Sequence, residues 1–333
     1  MGEEEKQEFA ERLVAWQIRF GRHGLPWMTE DPYRRWLSEV MLQQTQVSVV
    51  VEYFERFLKV FPSVQALSAA SEEDVMRLWA GLGYYSRARN LHACAKRVVA
   101  EHAGAFPRSV EQLERLPGIG RSTAGAIASF CFQIPAPILD GNVRRVFARL
   151  VCLPEPVDSA KAVKMLWAMA EECVSRREPG IYNQALMDLG AMVCTRSSPH
   201  CERCPVRSFC KAHEQGQTDR YPVPKVKKPL PLIERSMILY RVGDRVLLVH
   251  REGKGVWRGL WSLPEADEIP PNAQMVGEFS HRFTHYALHA RVFSVPVGRR
   301  TASEIPDGRW VSRQEMQTEA IPTPVRRFLL PLG

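Results

Sequence analysis

The sequence has no long apolar run. Its main stretch without charged residues, 122–139, is interrupted by hydroxyl, amide and proline side chains, so no segment offers the roughly 20 apolar residues that cross a bilayer. A basic and then apolar leader is also missing, because the chain begins Met-Gly-Glu-Glu-Glu. We therefore expect a soluble, intracellular protein with no membrane partner.

The composition has little bias of the kind that prevents folding. Hydrophobic residues make up 45% and charged residues 25% of 333 residues, which is usual for globular proteins, and this length predicts two domains. Lys and Arg number 45 against 37 Asp and Glu, a net charge of +8. This excess permits a polyanionic partner without identifying one. We find no internal repeat.

The first two thirds of the chain have helical periodicity. Apolar residues recur every three or four positions in Ala10–Phe20, Trp36–Phe61, Glu72–Ala80, Arg87–His102, Val110–Leu116 and Ala160–Val174. Convincing strand alternation is missing here, so we predict an all-α domain over residues 1–215.

The character of the chain changes after a segment rich in Pro and Lys, 216–232, which reads as a semi-extended linker. Beyond it, Ser236–Val242 and Arg245–His250 are β-rich and are joined by Gly243-Asp244, a two-residue hairpin signal. Leu288–Val297 is a further strand candidate. We predict a smaller α+β domain over residues 233–333.

Four of the eight cysteines crowd into 17 residues: Cys194, Cys201, Cys204 and Cys210. Without an export signal, metal thiolates are favoured over disulfides, and the spacing leaves tetrahedral zinc and an iron–sulfur cluster both open. Residues 196–228 carry eight basic and three acidic side chains. A metal-stabilised loop of this charge suits contact with phosphates.

The segment Leu116-Pro117-Gly118-Ile119-Gly120 lies between two predicted helices. Gly118 and Gly120 allow a sharp turn and a close approach to another surface, and the second helix directs its free N–H groups at that turn. This is the helix-hairpin-helix arrangement, which suits a DNA phosphate. The alternative is a plain tight connection between helices.

Two acids lie in unusual settings. Glu39 stands among apolar residues of a predicted helix, with Gln43 and Gln46 at i+4 and i+7 on the same face, and burial would raise its pKa as a general acid requires. Asp140 directly precedes a helix whose N-terminus favours its ionised form. One protonated and one ionised carboxyl suit cleavage of a bond to a sugar carbon. Structural hydrogen bonding or simple helix capping would also explain each acid alone.

Together these features resemble the adenine DNA glycosylases of the MutY family, within the helix-hairpin-helix and endonuclease III-like superfamily. The resemblance is co-linear and rests on Leu37–Val47, Gly81–Tyr85, Leu116–Ala124, Leu139–Val143 and Met187–Ala191, followed by the four cysteines. It implies an all-α glycosylase domain with a cluster loop and a Nudix-like C-terminal domain. It also implies excision of adenine mispaired with 8-oxoguanine or guanine in double-stranded DNA, by a monomer. With this resemblance we expect the bacterial cytoplasm or nucleoid as its location.

The resemblance assigns roles to individual residues. Glu39 would protonate adenine at N7, and Asp140, placed with Asn142, would stabilise the oxocarbenium-like sugar. Trp27 and Asp188 would lie at the adenine pocket, and Gln44 and Tyr84 would be wedge residues that fill the base stack. Further DNA contacts would fall on Gln43, Gly118 and Gly120. The resemblance also favours a [4Fe–4S] cluster over zinc on Cys194, Cys201, Cys204 and Cys210.

Ser122 separates this chain from the lyases of the superfamily. Those enzymes place a lysine at this position, and its amine forms a Schiff base with the sugar. A hydroxyl cannot form an imine, so we expect a monofunctional glycosylase in which Ser122 lies at the pocket. The alternatives are an endonuclease III-like lyase acting on oxidised pyrimidines and a non-catalytic iron–sulfur protein that binds damaged DNA.

The C-terminal region resembles the lesion-reading domain of the same family. The likeness rests on Trp257–Pro264 and on Phe283-Thr284-His285, where the usual serine is replaced by Thr284. Phe283, Thr284 and His285 would contact 8-oxoguanine. The glutamate-rich helix of active Nudix hydrolases is missing after Pro264, so pyrophosphate hydrolysis is not expected.

Overall fold

The computed structural model describes residues 2–225, 229–253, 255–297 and 305–332. The chain divides into two compact units: Met1–Gln65 with Ala93–Val226, and Ala66–His92 with Lys227–Gly333. Residues 66–92 therefore belong with the C-terminal unit, whereas the sequence-based division assigned them to the first domain. We call these units the catalytic unit and the sheet unit.

Helices make up almost all of the regular structure before residue 216. Within the described residues the α-helices are α1 (Glu3–Phe20), α2 (Pro32–Leu42), α3 (Val47–Val60), α4 (Val64–Ala69), α5 (Glu72–Trp79), α6 (Ser86–His102), α7 (Val110–Glu114), α8 (Arg121–Phe132), α9 (Gly141–Leu150), α10 (Ala160–Cys173), α11 (Pro179–Asp188), α12 (Lys211–Glu214) and α13 (Thr323–Leu329). A π-helical turn covers Leu189–Val193, and 3₁₀ turns cover Cys201–Arg203, Arg207–Phe209, Glu315–Gln317 and Leu330–Leu332.

Side-chain caps fix where several of these helices begin. Asp31 accepts from the N–H of Tyr33 at 2.8 Å and precedes Pro32, whose ring suits the first helical position. Ser71, Ser109 and Ser159 cap α5, α7 and α10 through their hydroxyl oxygens. Asp140 caps α9 in the same way, so the start of this helix fixes the position of a candidate catalytic carboxyl.

The core of the catalytic unit is formed mainly by α1, α8, α9, α10 and α11. Phe9, Leu13, Phe147, Leu166 and Tyr182 are essentially without solvent exposure there. Burial of each such side chain stabilises the fold by about 1.5–3 kcal/mol. Because α8 and α9 belong to this core, the residues at their N-termini are held on a rigid base.

The sheet unit contains a mixed sheet. Its strands among the described residues are β1 (Leu232–Val242), β2 (Arg245–His250), β3 (Trp261–Ser262), β4 (Gln274–Arg282), β5 (Ala287–Pro296) and β6 (Arg309–Ser312). Their order is β3-β2-β1-β5-β4, with β6 paired to β2, and β1 runs parallel to β5. Phe328 of α13 packs on Phe279 of β4, with ring centroids 5.6 Å apart.

Helix α5 packs on the C-terminal part of the sheet unit. Glu73 of α5 accepts from Arg309 Nη1 at 2.7 Å and from Trp261 Nε1 at 3.3 Å. Arg89 of α6 donates to the carbonyl of Arg258 at 2.6 Å. The sheet unit is therefore assembled from two separate stretches of the chain.

The structure confirms the predicted fold class and corrects one helix. The sequence predicted a continuous helix over Trp36–Phe61, but α2 ends at Leu42 and α3 begins at Val47. Gln44 between them has a left-handed backbone, with φ of 59°. Gln46 therefore lies outside the helix of Glu39, and its predicted place on the same helical face was wrong.

The predicted strands are confirmed, and others escaped prediction. The hairpin over 236–250 and the strand over 288–297 appear as β1, β2 and β5. Strand β4 is exposed or half-exposed along its whole length, and its sequence has no strong apolar alternation. Its pairing with β5 is a tertiary contact that local pattern does not encode.

Candidate active site and cysteine loop

Glu39 lies on α2 with its side chain 15% exposed. Burial raises the pKa of its carboxyl above the ordinary 4.5, and the negative charge of Asp140 raises it further. Arg35, one turn earlier, opposes this shift; its Nε lies 3.9 Å from Glu39 Oε1. A carboxyl in this setting holds its proton to higher pH, as a general acid must.

Asp140 caps α9 and accepts from the N–H of Val143 at 2.8 Å. The sequence predicted that this helix N-terminus would favour the ionised form. The backbone N–H groups and the charges of Arg145 and Arg144 do lower the pKa, but burial outweighs them, and the pKa of Asp140 is raised above 3.8. The predicted stabilising interaction is present, but burial reverses the net direction of the shift.

The charge of one carboxyl acts on the other. The charge of Asp140 acts on Glu39, so the two acids, about 100 positions apart in sequence, lie within electrostatic range of each other. When two desolvated carboxyls interact, loss of the first proton opposes loss of the second. The arrangement therefore favours a state in which one of the two carboxyls is protonated and the other is ionised.

Ser122 fixes the backbone beside Asp140. Its hydroxyl oxygen accepts from the N–H of Leu139 at 3.0 Å, one residue before the capping carboxyl. This contact gives Ser122 a structural reason to lie at the pocket. A lysine amine at the same position would be a donor and could not accept this bond.

Asn142 is tied to the cysteine loop through Arg145. Arg145 Nη2 donates to Asn142 Oδ1 and to the carbonyl of Gly190, both at 2.7 Å, and Arg145 Nε donates to the carbonyl of Cys194 at 2.8 Å. A Cβ on Gly190 would lie 2.6 Å from the Cβ of Asn142. Only glycine therefore permits this close approach.

Asp188 is a buried structural carboxylate in this structure. It has no solvent exposure, and it accepts from Gln17, Gln184, and the backbone and guanidinium of Arg22 at 2.6–3.0 Å. The resemblance placed Asp188 at the adenine pocket. That role stays a prediction, and in this structure the Asp188 oxygens already accept from protein donors.

Trp27 is also enclosed, with 3% exposure. Its ring packs edge-on against Phe54, with centroids 5.5 Å apart, and its carbonyl accepts from Arg35 Nη1 at 3.2 Å. The role of Trp27 in an adenine pocket stays a prediction.

The helix-hairpin-helix is formed by α7 and α8. Gly118 has φ of 76°, a conformation that favours glycine, whereas Gly120 has φ of −91° and caps α8. A Cβ on Gly120 would meet no atom within 4 Å. Folding therefore explains the glycine at 118 but not the one at 120.

The candidate wedge residues share a backbone conformation. Gln44 and Tyr84 both have positive φ, 59° and 47°, although neither is glycine. Gln44 is exposed, and the side chain of Tyr84 is 48% exposed. Such residues cost about 1 kcal/mol each and cluster at functional sites. Gln43 closes α2 at its C-terminus.

The four cysteines line one pocket of about 300 Å³, which includes its open mouth. Burial and the three neighbouring sulfurs raise the pKa of Cys204 to about 12. No three His, Cys, Asp or Glu side chains of the described residues are spaced to hold a single metal ion. Four thiols around one pocket are the ligand set that a polynuclear iron–sulfur cluster uses.

Arg149 holds the cysteine loop together. Its guanidinium is buried and donates to the carbonyls of Thr195 and Thr218 at 2.7 and 3.0 Å, and to Cys194 Sγ at 3.2 Å. A buried cation that donates to a ligand sulfur suits a cluster of net negative charge.

Phe283, Thr284 and His285 form the turn between β4 and β5. The N–H of Phe283 donates to the carbonyl of Tyr286 at 2.9 Å, which leaves Thr284 and His285 exposed at the tip. The Phe283 ring packs edge-on against His281 and Trp257, at 4.6 and 5.6 Å. The exposed pair is therefore presented on a rigid aromatic base.

Sequence reasoning missed the arginines of the site. Arg35 precedes Glu39 by four residues and Arg145 follows Asn142 by three, so helical spacing could have shown both. The contacts of Arg149 with residues 195–221 are long-range, and no local signal predicts them.

Among the helices of the described residues, none combines the length and the apolar character that crossing a bilayer requires.

Three family models match in chain order. Residues 37–171 match the HhH-GPD superfamily of base excision DNA repair proteins, 194–210 the iron-sulfur binding domain of endonuclease III, and 236–330 a NUDIX domain. The fold and site thus define a helix-hairpin-helix base excision repair protein with an iron–sulfur loop and a Nudix-like domain.

Full-length relatives narrow this class. An adenine DNA glycosylase of Buchnera aphidicola is 33% identical over 96% of this chain and 95% of its own length. The Homo sapiens adenine DNA glycosylase is also 33% identical, over 96% of this chain and 73% of its own length. The chain belongs to the adenine DNA glycosylase family.

Solved structures agree on the helical fold. A thermostable thymine-DNA glycosylase has a TM-score of 0.58 at 25% identity, over 64% of this chain and 98% of its own. An endonuclease III in a non-covalent DNA complex has a TM-score of 0.55 at 22% identity, over 65% and 98%. The second likeness concerns the fold alone.

Proposed function

We propose that this protein is a monofunctional DNA glycosylase that hydrolyses the N-glycosidic bond of adenine mispaired with 8-oxoguanine or guanine. The observation that carries the proposal is the coupled pair of desolvated carboxyls, Glu39 and Asp140, within a helix-hairpin-helix scaffold. Membership of the adenine DNA glycosylase family supports the choice of base.

The two carboxyls divide the chemistry between them. Glu39 gives its proton to N7 of the extruded adenine, so the ring accepts the electron pair of the breaking C1′–N9 bond as a neutral leaving group. Asp140, ionised, stabilises the positive charge that develops on the sugar. Water then adds to C1′ and releases a proton, which leaves an abasic site. Asn142, anchored by Arg145, positions this side of the pocket.

Ser122 supports hydrolysis without strand cleavage. Its oxygen accepts the N–H of Leu139 and offers no amine for a Schiff base with the sugar. The abasic product should therefore stay uncut until alkali is added.

The DNA contacts follow from the exposed backbone features. The N-terminus of α8 and Gly120 offer N–H groups and an open approach to a phosphate. Gln44 and Tyr84 each have a left-handed backbone, and we assign to each a part in filling the gap left by the extruded base. Gln43, which precedes Gln44 in sequence, is a further candidate contact. The exposed Thr284 hydroxyl and His285 ring would contact the 8-oxoguanine, above Phe283.

Cys194, Cys201, Cys204 and Cys210 would hold the [4Fe–4S] cluster. When bound, the cluster supplies a compact cross-link of the loop and a redox-capable centre. The chain's own part is performed by Arg145 and Arg149 of α9, which donate to the loop carbonyls of Cys194 and Thr195. Arg145 also donates to Asn142 of the same helix.

The proposal is tested with duplexes that contain A:8-oxoguanine, A:G or an oxidised pyrimidine, each assayed with and without alkali. We expect cleavage only after alkali and only at the adenine mispairs. Cleavage without alkali, or at the pyrimidine lesion, would contradict the proposal. Glu39→Gln should abolish adenine release while duplex binding survives, and Glu55→Gln, on the exposed surface of α3, is its control.

The lesion contact is tested at the β4–β5 turn. Thr284→Val keeps the shape of the side chain and removes its hydroxyl, so it should lower the rate on A:8-oxoguanine and leave the rate on A:G unchanged. Equal losses on both substrates would refute a specific contact.

A further inference from the structure

Arg35 is a buried cation beside the candidate acid. Its side chain is 4% exposed, and its guanidinium lies 3.5 Å from the centroid of the Phe130 ring. Burial lowers its pKa, so the fold holds a charge here against a desolvation penalty. Such a residue is retained where its charge or its donors are used.

Two of its three nitrogens have structural partners. Nη1 donates to the carbonyl of Trp27 at 3.2 Å, and Nη2 donates to Gln184 Oε1 at 3.0 Å. These bonds fix the plane of the guanidinium across the pocket floor, between α2 and α11. Neither of these two bonds involves the third nitrogen, Nε.

The third nitrogen is aimed at the acid. Nε is buried and has no hydrogen-bond partner in the described part of the chain, and it lies 3.9 Å from Glu39 Oε1. That distance permits an ion pair but not a hydrogen bond. A small movement of the Glu39 carboxyl would therefore bring it within hydrogen-bond distance of this unsatisfied buried donor.

We propose that Arg35 is a positioning residue for the Glu39 acid, whose buried guanidinium, held by Trp27 and Gln184, keeps the carboxyl in place and interacts with its charge. This inference rests on the proposed role of Glu39 in protonating adenine. It adds a residue of this chain that tunes the acid through charge and does not itself touch the base.

The direction of the effect follows from the charges that face Glu39. Burial raises its pKa, Arg35 of its own helix lowers it, and Asp140 before α9 raises it. Asp140 in turn faces Arg144 and Arg145 of α9. Without Arg35, burial and Asp140 both act in the same direction. The protonated form of Glu39 would then persist to higher pH, whereas Asp140 keeps its own two arginines.

The experiment is the pH dependence of single-turnover adenine release by the cluster-loaded, full-length protein. In Arg35→Met the alkaline limb should move to higher pH by about one unit or more, the usual effect of an adjacent opposite charge. The acidic limb, governed by Asp140, should move less. Arg34→Met is the matched control, since Arg34 is the neighbouring arginine, half-exposed and paired with Asp31, and it should leave both limbs in place.

Two further variants keep the test valid if Arg35→Met folds poorly. Arg35→Lys retains the charge and should restore the alkaline limb towards its original position, even though the bonds to Trp27 and Gln184 are weakened. Arg35→Gln is neutral and polar and should shift the limb as Arg35→Met does. Slower release with an unmoved alkaline limb in both neutral variants would overturn the proposal and leave Arg35 a purely structural residue.

The outcome is separable from the proposed function. If Glu39→Gln retained adenine release, the acid itself would be misassigned. If Glu39→Gln is inactive and the neutral Arg35 variants keep the original pH profile, only the inference about Arg35 fails.

Discussion

Glu39 and Asp140 occupy positions that suit catalysis and oppose stability. Each carboxyl is desolvated, and each has a pKa raised above its value in the unfolded chain. A group of this kind adds stability only while it is protonated, and that contribution is lost as pH rises towards the folded pKa. The active site therefore weakens the fold most where the enzyme would work.

Glu39→Gln should consequently be more stable than the original protein, by an amount that increases with pH. The amide does not titrate, whereas Glu39 loses stability from about its unfolded pKa of 4.5 upwards. Melting temperatures of both proteins between about pH 4 and pH 8 measure the difference. A difference that is constant across this range would contradict the raised pKa, and Glu55→Gln should show no such trend.

Asp188, in contrast, is a carboxylate that stabilises the fold. Its carboxylate is buried and pairs with Arg22 at 2.6 Å. Asp188→Asn should lower the free energy of unfolding by about 3 kcal/mol, because it leaves that guanidinium without its charge partner. Urea unfolding measures the loss. The fraction of Asp188→Asn that folds should keep its preference for adenine. A changed base preference at unchanged stability would show that Asp188 acts at the adenine pocket.

The residues that sequence could identify are those with a local signature. Glu39 is conspicuous as an acid in an apolar helix, and Asp140 as a cap. The partners of Asp188 lie as far away as Gln17, so nothing near it in sequence shows that its oxygens are already occupied. The net direction of the pKa shift of Asp140 could not be inferred from the helix N-terminus alone for a related reason, since burial is decided by distant chain segments.

At the scale of elements, the helix-hairpin-helix separates two uses of glycine. Gly118 has a positive φ, and the conformation requires glycine. Gly120 has an ordinary φ and open space around its missing Cβ. The fold of the protein without DNA requires glycine at 118. Glycine at 120 is explained by a close approach of the DNA to this turn.

Alanine at each position should therefore give different results. Gly118→Ala should lower the free energy of unfolding by about 1 kcal/mol through backbone strain. Gly120→Ala should leave stability within about 0.5 kcal/mol and weaken duplex affinity several-fold. Urea unfolding and a fluorescence binding titration measure the two effects. Unchanged affinity in Gly120→Ala would remove this turn from the DNA surface.

Element boundaries show where local pattern fails. The periodicity of Trp36–Phe61 continues through residues 43–46, yet Gln44 adopts a left-handed conformation there. An exposed, strained residue between two good helices has no apolar signature, and only its tertiary setting reveals it. The caps at Ser109 and Asp140, in contrast, lie where residue type predicts them.

At the scale of the molecule, the sheet unit combines α5 and α6 residues with the C-terminal strands. The ion pair of Glu73 with Arg309 and the bond from Arg89 to the Arg258 carbonyl join the two stretches. Tyr84 lies in the first stretch and the Phe283–His285 turn in the second. Tyr84, one of the two candidate wedge residues, and the candidate lesion contact are therefore built into one compact unit, whereas Gln44 belongs to the catalytic unit.

The Glu73–Arg309 pair can be measured by a double-mutant cycle. Glu73→Gln and Arg309→Gln should each destabilise the protein, and together they should cost less than their sum, by about 0.5–1 kcal/mol, because the pair is partly exposed. Thermal unfolding provides the energies. Asp74→Asn, which alters exposed contacts with Arg77 and Ser71 and none with Arg309, is the control, and strictly additive effects would show that the pair is not coupled.

The division of the chain also has a consequence for a protein that has been nicked. A protease cut between Gly216 and Lys225 would break the covalent link between the C-terminal strands and the rest of the chain. The larger fragment would still carry residues 66–92, which belong to the same compact unit as those strands. The two fragments should then co-purify as one particle under native conditions, and a denaturing gel alone would reveal the break.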